Sequence, residues 1–178
     1  MTNVTIQKMT RYLTGALILA TLIIGTDELA ITAGIEVPPE ERAALVALYN
    51  AAGGSGWTSS TNWNNGDPCL NNWYGIVCSG GHIAGIQLQN NNLVGKIPPA
   101  IGDLSQLTTF WVYGNVFLGG TIPKQFGNLS QLQSIHMGFC NLSGYLPPEF
   151  GNLSLLTQLN LYTIQKQSGL EIIPVISQ

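Results

Sequence analysis

Charge is what this chain has least of. Only 8 % of its 178 residues are charged, six Lys plus Arg against nine Asp plus Glu, for a net charge of −3. A surface that binds nucleic acid needs a basic stripe to neutralise phosphates, and so few cations supply none. Histidine is scarcer still: His82 and His136 stand alone, and with three cysteines they make no spacing that ligates zinc. Gly53-Gly-Ser-Gly56 is followed by no Gly-Lys-Ser/Thr, so it is not a phosphate loop. The few acids of the central region, Asp103 and Glu149, fall on expected outer loops. His136 has no sequence-near carboxylate or matched serine. The chain therefore offers no nucleophile–base pair, carboxylate pair or metal cluster, and neither enzyme activity nor a cofactor is expected.

What the chain does have is a repeat, recurring roughly every 24 residues from Ile83 to Leu161. The first copy carries Ile83, Ile86, Leu88, Asn91, Leu93, Gly95, Ile97, Pro98, Ile101, Gly102 and Leu104. The second carries Leu107, Phe110, Val112, Asn115, Phe117, Gly119, Ile122, Pro123, Phe126, Gly127 and Leu129. The third carries Leu132, Ile135, Met137, Cys140, Leu142, Gly144, Leu146, Pro147, Phe150, Gly151 and Leu153, and a fourth begins at Leu156, Leu159 and Leu161. This L-x-x-L-x-L-x-x-N/C-x-L pattern is the signature of a leucine-rich-repeat solenoid. The expected fold is an α/β repeat with a short parallel β-sheet on the concave face and a helical, disulfide-pinned amino-terminal cap.

Each copy reads as one coil. Ile86-x-Leu88, Phe110-x-Val112, Ile135-x-Met137 and Leu159-x-Leu161 alternate in and out as short strands. Asn91 and Asn115 sit where the chain leaves the strand, and a buried amide there can bond backbone groups of its own and neighbouring coils. Cys140 takes that slot in the third copy, as a structural substitute and not a nucleophile. The Gly-x-Ile-Pro steps forbid a helix, so the convex side should be extended or 3₁₀-like. Between Asn115 and Pro123 the second copy has one extra residue, expected as a bulge on the outer side.

The amino terminus has a basic start, Lys8 and Arg11, before the apolar run from Tyr12 to Gly25. Roughly 14 apolar residues suit a secretory signal better than a membrane span. Residues 1–33 are read as a signal peptide or retained signal-anchor, with cleavage between Gly25 and Ala33. Export predicts disulfides and glycans. Asn128-Leu-Ser, Asn141-Leu-Ser and Asn152-Leu-Ser are acceptor sequons. Cys69 and Cys78 flank Trp73 and are the economical pair, since Cys140 already has a repeat slot; closing that loop contributes about 2–3 kcal/mol.

Residues 34–82 are read as the cap. Pro38-Pro39-Glu40-Glu41-Arg42 opens a helix, proline being tolerated in the first turn and acids favoured there. Leu45, Leu48, Tyr49 and Ala52 share one face, and Gly53-Gly54 stops it. Trp57, Trp63, Trp73 and Tyr74 follow in a loop-like stretch. A first coil has an open apolar end, and a helix plus tryptophans can cover it.

At this point the chain resembles a known family. Glu41-Arg-Ala-Ala-Leu-Val-Ala-Leu-Tyr-Asn-Ala-Ala-Gly-Gly, Trp57, Asn62-Trp63, Asp67-Pro-Cys69 and Trp73-Tyr-Gly-Ile-Val-Cys78 resemble the cap of plant-type leucine-rich-repeat proteins. Asn-x-Leu-x-Gly-x-Ile-Pro resembles their repeats. That group includes ectodomains of receptor-like kinases, receptor-like proteins and polygalacturonase-inhibiting proteins; secreted algal and protist proteins carry similar caps. The resemblance covers residues 40–161. It implies a secreted or surface-displayed binding module whose ligand does not follow from the fold. The chain departs from the group in the fourth copy, where Ile164 replaces the expected Asn. Residues 162–178 are read as an irregular tail, with Leu170, Ile172, Ile173 and Val175 free to improvise a cap. A truncated or shortened copy is the favoured reading.

The register places the recognition surface. Gln87 and Gln89, Trp111 and Tyr113, His136 with Phe139 beside it, and Asn160 and Tyr162 should face the concave side. An exposed aromatic cluster rimmed by amides, without charge, suits a neutral glycan or an uncharged peptide segment. The expected function is recognition of a protein or glycan at or outside the cell surface, with a membrane-anchored co-receptor as a further partner. The alternatives are an inhibitor of a wall-degrading hydrolase and a receptor fragment without independent activity.

Overall fold

The computed structural model describes residues 18–21 and 32–162. Strand β1 (Ile18–Thr21) pairs antiparallel with β2 (Thr32–Ile35). Lys8, Arg11, most of the apolar run, most of the expected cleavage window, and the tail with Leu170, Ile172, Ile173 and Val175 lie outside the described residues.

Helix α1 spans Pro39–Ala51 and buries Ala44, Leu45 and Leu48, with Ala52 just beyond its end. It stops where Gly53 turns left-handed at φ 69°, a conformation that glycine adopts without steric cost. The three tryptophans that follow are buried, each with its indole N–H used: Trp57 donates to Ala52 O, Trp63 to Tyr74 O and Trp73 to Asn65 O. Trp63 lies 4.9 Å from Trp57 and 5.1 Å from Trp73, and such ring pairs contribute about 0.5–1.5 kcal/mol each beyond their buried area. The Arg42 guanidinium sits over Trp73. Asp67 ties the segment together, accepting from the N–H groups of Val37, Cys69 and Leu70. A disulfide joins Cys69 to Cys78 with their Cα atoms 5.9 Å apart.

Strand β3 (Ile76–Ser79) then pairs antiparallel with β4 (His82–Gln87), which begins the first coil. The coils supply β5 (Val94–Lys96), β6 (Thr109–Trp111), β7 (Phe117–Thr121), β8 (Ser134–His136), β9 (Asn141–Ser143) and β10 (Gln158–Asn160). The concave sheet runs β10-β8-β6-β4-β3, parallel throughout except at the β3–β4 hairpin. The repeat pattern anticipates β4, β6, β8 and β10; β3, which closes one edge of that sheet, belongs to the cap. The outer side carries 3₁₀ turns at Pro99–Asp103, Lys124–Asn128 and Pro148–Asn152, each following a Pro.

A second parallel sheet, β5-β7-β9, was not expected from the repeat. Its register is staggered: Gly95 pairs with Leu118 and Gly120 with Leu142. Each strand is thus slid by the same two residues along its predecessor. This register corrects the alignment of the second coil. Leu118, fully buried, occupies the slot of Leu93, and Gly120 (φ 77°) that of Gly95 (φ 120°) and Gly144 (φ 81°). Phe117, read as the core residue, is 63 % exposed. The extra residue therefore enters directly after Asn115 and turns Val116 and Phe117 outward.

The core is the stack of repeat positions. Phe110, Phe126 and Phe150 form a ring ladder through it, at 5.1 and 5.7 Å. Cover thins along the stack: Leu93, Ile97 and Leu107 are buried, whereas their counterparts two coils on, Leu142, Leu146 and Leu156, are only partly so. At the turn off the strand Asn115 is fully used. Its NH₂ donates to Leu88 O and Val112 O, and its Oδ1 accepts from the N–H groups of Asn91 and Leu93. Asn91 does the same for the cap through Ser59 N and O. The Cys140 thiol fills the slot with one good bond, to Val112 O at 3.2 Å. Burial pushes its pKa above the ordinary thiol value, and the N–H of Asn115 works against that shift.

Candidate functional site: the concave face

Parallel pairing lines up side chains from successive coils. Because Gln87 is paired with Trp111, Trp111 with His136 and His136 with Asn160, these four form one row across the sheet. Gly85, Thr109, Ser134 and Gln158 form the row before it. Gln89, Tyr113, Gly138 and Tyr162 follow two residues further on, where backbone bonds such as Gly114 N to Gly138 O continue the ladder. None of these twelve positions is an Asp, Glu, Lys or Arg.

Trp111 is half-buried and held in place. Its Nε1–H donates to Ser134 Oγ at 2.9 Å, and that hydroxyl donates to Gln158 Oε1 at 3.0 Å. The indole stacks on the His136 ring at 5.5 Å with planes 24° apart, and Tyr113 tilts towards the same imidazole at 6.4 Å. The part of Ser134 and Gln158 in fixing the indole is visible only in three dimensions. Gln89 is half-buried and its Oε1 has no partner. Asn160 is exposed, and its Oδ1 accepts from Tyr162 N.

A second ring pair lies at the rim. Phe139, 44 % exposed, meets Tyr162, 61 % exposed, edge to face at 5.7 Å. Phe139 sits at φ 56°, in a slot held by Asn90 (φ 52°) and Gly114 (φ 76°) in the earlier coils. Asn and Gly tolerate the left-handed region; for a bulky residue it is strained. The eight side chains Gln87, Gln89, Trp111, Tyr113, His136, Phe139, Asn160 and Tyr162 thus share one face, the rings falling into a Trp111–His136–Tyr113 group and a Phe139–Tyr162 group. Asn128 and Asn152 are exposed on the outer 3₁₀ turns and Asn141 on β9, all away from these rows.

Residues 38–79 match the leucine rich repeat N-terminal domain, and residues 83–104 and 131–153 match the leucine rich repeat. The chain thus carries a leucine-rich-repeat amino-terminal cap and leucine-rich repeats, similar to those of plant receptor-like kinases. The unmatched stretch between those repeats is the coil with the extra residue. Among curated relatives, the chain is 40 % identical over 81 residues to the LRR receptor-like serine/threonine-protein kinase GSO2 of Arabidopsis thaliana, covering 45 % of this chain and 6 % of that protein. It is 37 % identical over 100 residues to the receptor-like kinase TMK4 of the same plant, covering 55 % and 10 %. The chain therefore spans a tenth or less of the length of these relatives. Among solved structures, it overlays a plant ice-binding protein with a TM-score of 0.64 at 29 % identity, covering 72 % of this chain and 42 % of that one. It overlays the BIR3–SERK2 complex of Arabidopsis thaliana with a TM-score of 0.54 at 25 % identity, covering 67 % of each. No helix among the described residues is long and apolar enough to cross a membrane.

Proposed function

We propose that this chain is an extracellular or cell-surface recognition module that binds a neutral protein or glycan ligand on its concave face. It acts by binding and not by catalysis. The observation that carries this reading is the half-buried Trp111 indole, fixed from below by Ser134 and Gln158 and stacked on His136. A ring ordered before its partner arrives loses little entropy on contact. The strained Phe139 adds to it, since an exposed aromatic kept in a left-handed slot contributes nothing to the core. The receptor-like kinases among the relatives and the BIR3–SERK2 neighbour support a surface location and a co-receptor as partner. Glycans at Asn128, Asn141 and Asn152 would leave the concave rows clear.

The test is capture from native extracellular fluid by the oxidised, glycosylated chain. Trp111→Ala and Tyr113→Ala should each weaken capture about ten-fold or more, a loss of roughly 1.4 kcal/mol or beyond, with the unfolding midpoint little changed. Capture indifferent to both substitutions would remove the site.

A second reading draws on the outer flank. Asp103, Asn128 and Asn152, and likewise Ser105, Ser130 and Ser154, recur once per coil and are exposed. Two rows of short polar groups at the coil spacing can order water, and the ice-binding neighbour lends this weight. Slowed ice recrystallisation by the unglycosylated chain, relieved by Ser130→Lys, would support it; no effect on ice growth would dismiss it.

A further inference from the structure

Resting on the concave-face reading above, we infer that the ligand of this face is a neutral saccharide chain, stacked on Trp111 and hydrogen-bonded by the amides of Gln158 and Asn160. Three observations converge. The indole N–H is already committed to Ser134, so Trp111 offers a partner only its apolar ring surface. The partner must therefore bring an apolar face of its own, as a pyranose does where its axial C–H bonds point the same way.

The amides set the second requirement. Gln158 Oε1 accepts from Ser134 and Asn160 Oδ1 accepts from Tyr162 N. What is left to each is its whole NH₂ group, with both donors, and one further lone pair on the oxygen. The two side chains lie on one side of β10, two residues apart and so about 7 Å along the strand. A matching ligand presents closely spaced, uncharged acceptors beside its apolar face. Hydroxyl and ring oxygens of a sugar are such acceptors.

The third observation removes one way of holding a peptide. A peptide added to a sheet as a further strand needs a free edge. Trp111 stands on β6, an interior strand whose backbone groups are already paired on both sides by β4 and β8. No Asp, Glu, Lys or Arg stands on these rows to read a peptide terminus or an ionic residue.

The experiment titrates the full, oxidised chain with cellohexaose, xylohexaose, laminarihexaose and chitohexaose, followed by indole emission and by saturation-transfer NMR. Trp57, Trp63 and Trp73 are buried in the cap, so a change in emission reports Trp111. At least one sugar should bind, with affinity falling about ten-fold in Trp111→Ala. Ser134→Ala keeps the ring but frees it, and should cost about three- to five-fold; Phe117→Ser, on the second sheet, should cost nothing. Should Trp111→Ala fail to fold, Ser134→Ala and Gln158→Ala carry the test. The inference is overturned if none of the four sugars binds and if prior proteolysis of the extracellular fluid abolishes Trp111-dependent capture. In that case the concave site stands and its ligand is a protein. Capture that never depended on Trp111 overturns the site itself.

Discussion

The Glu41 carboxylate, 2 % exposed, spans from helix α1 to the first strand of the repeats and accepts from His82 Nδ1 at 2.6 Å and from Ile83 N–H at 2.7 Å. A buried acid is costly unless its oxygens are bonded, and here each oxygen has a donor from the element that the cap must cover. The bond is a latch between cap and solenoid. Glu41→Ala leaves the buried Ile83 N–H without an acceptor and should cost about 2–3 kcal/mol. Glu41→Gln keeps a carbonyl in place and should cost about half that. Urea unfolding midpoints check both; an alanine variant as stable as the parent would show that the latch is idle.

The second contact of the cap is steric. A Cβ at Gly95 would strike the Ala51 carbonyl, and the backbone there is at φ 120°. Gly95→Ala should therefore lift the end of α1 and destabilise by about 2 kcal/mol or more. At Gly120 the nearest atom to such a Cβ is 3.4 Å away, so Gly120→Ala should cost only about 1 kcal/mol for its backbone. Equal losses in the two variants, measured by thermal unfolding, would refute the seating role of Gly95.

Cys140 carries the pH prediction. Burial raises the folded thiol pKa above its unfolded value. An acid of that kind contributes its full stability below the unfolded pKa, about 8.5, and loses it as pH rises towards the folded value. Unfolding free energy should therefore decline above that point, and the decline should shrink in Cys140→Ser. A thiol reagent at neutral pH should label the native chain only as fast as it unfolds. Rapid labelling of folded protein would contradict the burial.

Phe139 should behave in the opposite sense. Phe139→Asn relieves a left-handed phenylalanine and gives up an exposed ring contact with Tyr162. A net gain of about 0.5–1 kcal/mol is expected. Ligand capture should fall at the same time. A variant that gained stability with capture intact would leave the strain without a purpose.

Most of the fold is legible in the residues because a solenoid repeats one solution. Ile86, Phe110, Ile135 and Leu159 each stand at the same place in the coil, and their equivalence needs only counting. Counting fails at Val116 and Phe117. There the chain offers Phe117-Leu118 and Gly119-Gly120, two apolar residues and two glycines, and either of each pair satisfies the pattern. Only the pairing of β7 with its two neighbours decides for Leu118 and Gly120. Glu41 and His82 are invisible for a different reason, being 41 residues apart with no motif to join them. On the concave face seven of the eight candidate side chains follow from the alternation of a strand, and Phe139 lies one residue off it. The fixing of Trp111 by Ser134 does not, since it crosses from one coil to the next.

The thinning of the core between Leu93 and Leu142 has a bearing on how ligand binding would be noticed. Amide protons beneath the tryptophans should be the last to exchange with deuterated solvent and those of β10 among the first. Trp111 lies on the slow side of that gradient, Asn160 and Tyr162 on the fast side. A molecule bridging them would quieten β10, and its footprint would be read less at the indole than in the newly protected amides of that strand.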